Sequence, residues 1–166
     1  MNKYTCYTDG SCIKNTKGYG NGGWASVIID ESGNVIEELY NGFTTTTNNR
    51  MELLAVLETL KYFKEPTEIK IISDSMYVVN SITNHWVEKW FENEDYSKEN
   101  LDLWIQVLEL LNFHKVNIEW VKGHATSKYN NRADELAQFA ANLINLPEDE
   151  YFVKSKKDRK SLVPKS

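Results

Sequence analysis

Tyr4-Thr5-Cys6-Tyr7-Thr8-Asp9-Gly10-Ser11 is a run of strand-forming residues that carries one acid. Tyr, Thr and Cys favour a pleated chain, and alternation puts Thr5, Tyr7 and Asp9 on one face. A carboxylate there is costly if it stays charged, dry and unpaired. Taken alone, Asp9-Gly10 also reads as a solvated turn that ends the strand. The rest of the chain decides between the two readings.

Downstream of this run, residues 15–23 form a polar, glycine-rich link. Residues 22–29 and 35–43 read as two more strands around a turn at residues 30–34, which suggests an antiparallel meander. Gly18, Gly20, Gly22 and Gly23 precede a strand rather than a helix, so they do not form a dinucleotide-binding fingerprint. A polar run at residues 44–49 ends in candidate N-cap residues. Strong helix formers follow over residues 50–60, and this helix is predicted to end near Lys64, ahead of Pro66. Residues 68–73 are a strand with Asp74 at its C-terminal end, and residues 75–82 are helical. Residues 84–100 are aromatic and acidic. Within them, Trp86 and Trp90 are four apart and share a helix face. A helix over residues 101–111 and a half-buried strand over residues 116–121 come next. A loop over residues 122–129 leads to a last helix, capped by Asn130 or Asn131 and running through Leu143. Strand, helix, strand, helix is an α/β pattern with a mixed sheet.

The length of 166 residues suits one domain with a real core. No apolar run reaches transmembrane length, and the N-terminus has no signal-like region. Cys6 and Cys12 neither staple a domain nor supply a zinc site, so a cytoplasmic setting is expected. The net charge of −5 hides an asymmetry. Residues 1–150 hold 13 Lys/Arg against 23 Asp/Glu, or −10, whereas residues 151–166 hold 6 against 1, or +5. The acidic body does not advertise a nucleic-acid partner, but the basic tail reopens that question. From about Tyr151 onward the composition predicts loose order.

Four acids stand where solvation is not the obvious choice: Asp9, Glu52 inside an apolar helical run, Asp74 at a strand end, and Asp134 in the first turn of the last helix. Each has an ordinary alternative, as a solvent-facing residue, a cap or a first-turn acid. As a set they point elsewhere. If the strands holding Asp9 and Asp74 are parallel neighbours, both acids lie at the carboxyl edge where α/β sheets gather ligands. Crowded carboxylates need a counter-charge, and Mg²⁺ prefers oxygen ligands. Two such ions about 3.5–4 Å apart suit a phosphoryl displacement without a covalent nucleophile. The sequence has no serine-hydrolase elbow and no P-loop.

Thr8-Asp9-Gly10-Ser11-Cys12, residues 46–53 (TTNNRMEL), Ser73-Asp74-Ser75, Trp120-Val121-Lys122-Gly123-His124-Ala125 and Asn130-x-x-Ala133-Asp134-Glu135-Leu136-Ala137 occur in this order. Over roughly residues 3–144 the chain resembles a type 1 ribonuclease H of the bacterial, single-domain kind. The resemblance implies a ribonuclease H-like α/β fold: a mixed five-stranded sheet, three antiparallel strands then two parallel ones, flanked by helices. It implies a catalytic domain over residues 1–146 and leaves 147–166 as a basic, flexible tail. The implied activity is endonucleolytic cleavage of the RNA strand of an RNA–DNA hybrid, leaving 5′-phosphate and 3′-hydroxyl ends. Asp9, Glu52, Asp74 and Asp134 match the metal-ligand carboxylates, with two Mg²⁺ ions, or Mn²⁺ in their place. His124 matches a loop histidine that assists proton transfer or product departure. Gly10, Ser11, Asn15, Thr47, Asn48, Asn49, Met76, Trp86 and Trp90 match substrate-contact positions. The expected protein is a monomer whose partner is the hybrid, with no membrane. Two other classes remain: a non-catalytic hybrid-binding module and a metal-binding protein with no nucleic-acid role. The complete acid set argues against the first, and the Thr/Asn run and the His124 loop argue against the second.

The chain departs from the family pattern twice. Met76 stands where many relatives have Gln, and a thioether cannot donate a hydrogen bond. The segment over residues 86–103 sets Glu88, Glu92, Glu94, Asp95, Glu99 and Asp102 against Lys89 and Lys98, where bacterial members often carry a lysine-rich protrusion. Such a face repels a phosphate backbone. The cations of the tail either make up for it or merely solubilise the chain.

Overall fold

The computed structural model describes residues 1–123 and 127–162, with side chains through Lys157. The opening run lies within β1 (Lys3–Lys14), followed by β2 (Gly20–Asp30) and β3 (Val35–Thr46). Helix α1 (Asn48–Tyr62) crosses to β4 (Glu68–Ser73). Helices α2 (Met76–Thr83), α3 (Trp86–Glu92) and α4 (Leu101–Phe113) lead to β5 (Lys115–Trp120), and α5 (Lys128–Ala141) and α6 (Glu150–Leu162) close the chain. The sheet order is β3-β2-β1-β4-β5. β1 pairs antiparallel with β2 and parallel with β4, and β5 runs parallel to β4. The architecture is the mixed five-stranded α/β sheet expected.

Both faces of β2 are covered, which explains its nearly unbroken apolar sequence. On one face Ile28 and Cys6 meet Leu53, Val56, Leu57 and Leu60 of α1. On the other, Ala25, Val27 and Ile29 meet Ala133, Leu136 and Ala137 of α5. The α1 residues are essentially fully buried, each contributing roughly 1.5–3 kcal/mol of burial. Their strong helix propensity agrees with the state they adopt. Two glycines set the approach of these helices. A Cβ on Gly10 would stand 2.4 Å from the Glu52 amide nitrogen, and one on Gly23 would stand 2.2 Å from the Ala137 carbonyl oxygen. Any side chain at either position forces helix and sheet apart.

The start of α5 differs from expectation. Its N-cap is Ser127, not Asn130 or Asn131, so Asp134 lies in the second turn.

The C-terminal segment is also corrected. Residues 150–162 form a helix rather than a loose tail. The chain first docks on the end of β3, where the Thr44 amide donates to Pro147 O at 2.8 Å. Asp149 is buried against Arg50, and Phe152 stacks edge-on to Tyr19 at 5.8 Å between ring centroids. Charge content alone predicts disorder, but the Phe152–Tyr19 contact and one buried ion pair supply contacts that offset ordering entropy.

Candidate active site

The parallel pairing of β1 with β4 places Thr8 beside Ser73. The next residues of both strands, Asp9 and Asp74, therefore emerge together at the carboxyl edge of the sheet. Trp120 Nε1 donates to the Asp74 carbonyl at 3.2 Å, and the Val121 amide donates to Ser73 O at 2.9 Å, so β5 steadies this edge. Helix α1 delivers Glu52 over Gly10, where the missing side chain allows close contact. Oxygens of Asp9, Glu52 and Asp74 lie within 4.8 Å of one another. Asp134 joins Asp9 and Asp74 in a small cleft also lined by Thr8, Lys122, Asn130 and Asn131.

These acids lie where charge is poorly tolerated. Asp9 is 7% exposed and Glu52 4%. Burial, followed by the charge of Asp74, raises the Asp9 carboxyl to about 8. Burial and the charges of Asp9 and Asp74 push Glu52 well above the usual carboxylate range. Among the described residues, three buried side-chain oxygens lack a hydrogen-bond partner, and two of them are Glu52 Oε2 and Asp74 Oδ1. Orphaned oxygens of this kind normally cost the full desolvation of the group. An all-oxygen set, crowded and short of positive charge, fits a hard divalent cation held by Asp9, Glu52 and Asp74, with Asp134 within the same cleft.

The other expected positions are distributed around this cluster. Gly10 and Ser11 continue β1 beyond Asp9. Asn15 sits in the β1–β2 link, its Oδ1 accepting from the Lys17 amide at 2.8 Å. Thr47 caps α1, its Oγ1 accepting from the Arg50 amide at 3.2 Å, and Asn48 and Asn49 open the helix. Met76 opens α2 and is exposed. Trp86 is exposed on α3, whereas Trp90 turns inward and packs edge-on to Trp104 at 6.5 Å. His124 lies outside the described residues; Lys122 and Gly123, which lead to it, line the cleft. Sequence reading treated Asn130 and Asn131 as caps and missed them as cleft residues. Their spacing of four and three from Asp134 carried the signal, since such residues share a helix face.

A model of the RNase H family matches residues 1–142. The chain belongs to the ribonuclease H family. It is 43% identical to the ribonuclease H of Chlorobium phaeovibrioides over 83% of this chain and 94% of that protein. It is 44% identical to that of Acetivibrio thermocellus over 82% and 93% respectively. Among solved structures, LC9-RNase H1, a type 1 RNase H with the type 2 active-site motif, matches with a TM-score of 0.75 and 29% identity, over 84% of this chain and 72% of that one. The foamy-virus protease–reverse transcriptase solved with an RNA/DNA hybrid shares the fold, with a TM-score of 0.72 and 20% identity over 85% of this chain and 20% of that one. These likenesses place the chain among the type 1 ribonucleases H. Among its described residues, no helix is long and apolar enough to cross a membrane.

Proposed function

We propose that the chain is an endonuclease that hydrolyses the RNA strand of RNA–DNA hybrids with the help of two divalent cations, Mg²⁺ or in its place Mn²⁺. The observation that carries this reading is the cluster of Asp9, Glu52 and Asp74 oxygens, two of them buried and unpartnered, in a chain of this family. When bound, the cations supply Lewis-acid stabilisation of the attacking and leaving oxygens. Asp9, Glu52, Asp74 and Asp134 would hold them, and oxygens of Asp9, Glu52 and Asp74 lie within 4.8 Å of one another.

The reaction is a displacement at phosphorus. A water oxygen bonds to phosphorus, the bond to the 3′ oxygen breaks, and the released ends are a 5′-phosphate and a 3′-hydroxyl. The chain's own residues orient the scissile group and manage protons. His124, on the segment that follows Lys122 and Gly123, carries a proton to or from the reacting oxygens. Gly10, Ser11, Asn15, Asn48 and Asn49 offer donors and acceptors to the 2′-hydroxyls that distinguish RNA from DNA, and Thr47 meets the DNA backbone. Met76 and Trp86 border the groove. Trp90 acts from beneath, by holding α3 on Trp104. The protein works as a monomer, and its free Cys6 and Cys12 suit a cytoplasmic setting.

The test is cleavage of a labelled RNA–DNA hybrid beside RNA–RNA and DNA–DNA duplexes, with Mg²⁺ and with chelator, and with the product ends mapped. Cutting confined to the RNA of the hybrid and dependent on the cation is expected. A hybrid left intact, or equal cutting of all three duplexes, overturns the reading.

A further inference from the structure

The body of the chain carries −10 over residues 1–150, and many of its cations are already committed. Lys3 and Lys115 pair with Glu68, Lys70 with Glu119, Arg50 with Asp102 and Asp149, and Arg132 with Glu38 and Glu135. A polyanion approaching the acid cluster meets a repulsive field unless free positive charge lies nearby.

Helix α6 supplies that charge. It is thirteen residues long, about 20 Å, and its sequence holds Lys154, Lys156, Lys157, Arg159 and Lys160 against Glu150 and Asp158. Lys154, Lys156 and Lys157 form no ion pair among the described residues, and Lys154 and Lys157 are exposed. The helix is also fixed in place. Asp149, just ahead of it, accepts from Arg50 Nε and Thr46 Oγ1, both at 2.7 Å. The Arg50 guanidinium lies over the Tyr151 ring at 5.2 Å, and Phe152 meets Tyr19.

The location of the helix gives this charge its meaning. Lys156 lies over the Tyr19 ring at 3.1 Å from its centroid, and with Ser155 it lines a cleft shared with Thr47, Arg50, Lys98, Asn100 and one acid, Glu99. Thr47 caps the helix that carries Glu52, five residues or about 7.5 Å of helix axis away. The Tyr19 carbonyl accepts from the Asn15 amide at 2.9 Å; Lys14 ends β1 and Lys17 stands on the β1–β2 link. The helix therefore adds cations to the end of the molecule where the acid cluster sits.

We propose that α6 is a phosphate-backbone wall for the nucleic-acid duplex, with Lys154, Lys156 and Lys157 the cations that hold it. This inference rests on the proposed hybrid-cleaving function. The sign of the charge separates the wall from a lid: a helix that occludes a polyanion groove mimics the polyanion and is acidic, and α6 is basic.

The test uses the full chain and the double variant Lys154→Gln/Lys157→Gln, whose side chains are exposed and form no ion pair among the described residues. A triple variant adds Lys156→Gln. Binding of an RNA–DNA hybrid is measured in Ca²⁺ or chelator between about 50 and 200 mM salt, and cleavage is measured separately in Mg²⁺. Each lost phosphate contact reduces the slope of log K against log salt by about 0.9. The double variant is expected to flatten the slope by roughly 2 and lose about tenfold or more in affinity near 0.1 M salt. KM rises and kcat does not change. An unchanged slope in the double and triple variants, or tighter binding, overturns the wall. If the unaltered chain neither binds nor cuts the hybrid, the functional reading fails; if it cuts and only the slopes coincide, the wall alone fails.

Discussion

Two buried charge clusters flank the first turns of α1, only two residues apart in sequence. At Arg50, one guanidinium is shared between Asp102 and Asp149, with Asn100 accepting a further hydrogen bond. At Glu52, carboxylates face carboxylates and two oxygens have no partner. Burial opposes the charge on Arg50, but the hydrogen bonds and charges of Asp102 and Asp149 outweigh it, and its pKa rises. Burial opposes the charge on Glu52 too, and there the neighbours reinforce the penalty. The first cluster is satisfied and holds α1, α4 and the C-terminal segment together. The second is left short of positive charge, and such a deficit is stable only if something outside the chain makes it good.

The largest expected effect that separates the clusters is on catalysis. Asp9→Asn keeps shape but removes a ligand charge, so cleavage of the hybrid in Mg²⁺ should fall by at least roughly 10³-fold. Arg50→Ala should have its main effect on stability. Breaking a buried pair while leaving Asp149 behind costs about 3–5 kcal/mol, read as a lower midpoint in a urea melt. If Arg50→Ala abolished cleavage with no loss of stability, the contrast between the two clusters would collapse.

A third experiment exploits the raised pKa. In the metal-free protein Asp9 keeps its proton to about pH 8, whereas the unfolded chain loses it near the ordinary 3.8. The native state binds more protons across that window, so this group's contribution makes stability fall as pH rises through it and level off above it. Melts in chelator at pH 5 and pH 8 should show the drop. Asp9→Asn should shrink it, and Mg²⁺ should reverse it at the higher pH. A metal-free protein no less stable at pH 8 than at pH 5 sinks the account of the second cluster.

The smallest effect concerns the rim of that cluster. Met76 opens α2 two residues after Asp74 and is 57% exposed. Met76→Gln restores an amide and should lower KM for the hybrid by about 1 kcal/mol, roughly fivefold. Unchanged affinity and cleavage would show that this position does not touch the groove.

Much of the fold was legible in the chain itself. The alternation of residues 4–9, the helix formers of residues 50–60 and the acid placed after residues 68–73 each bias the local chain toward the state it adopts. The order of these elements left little besides a mixed sheet. The acids were legible as well, because charge inside an apolar run is conspicuous in any sequence. Asp9 began as an ambiguous strand-end residue, and nothing within its own stretch could resolve it. The contact partners were not legible. That Gly10 opens the space for Glu52, that Asn130 and Asn131 turn into the cleft, and that Arg50 ties α4 to Asp149 are matters of distance between segments far apart in sequence. Tertiary packing alone sets those distances. The C-terminal helix shows this most plainly. Charge and Ser/Lys content alone predict loose order from about Tyr151 onward. Only the folded body presents Arg50, Thr46 and Tyr19 together, and their contacts with Asp149, Tyr151 and Phe152 turn that charged segment into an ordered helix.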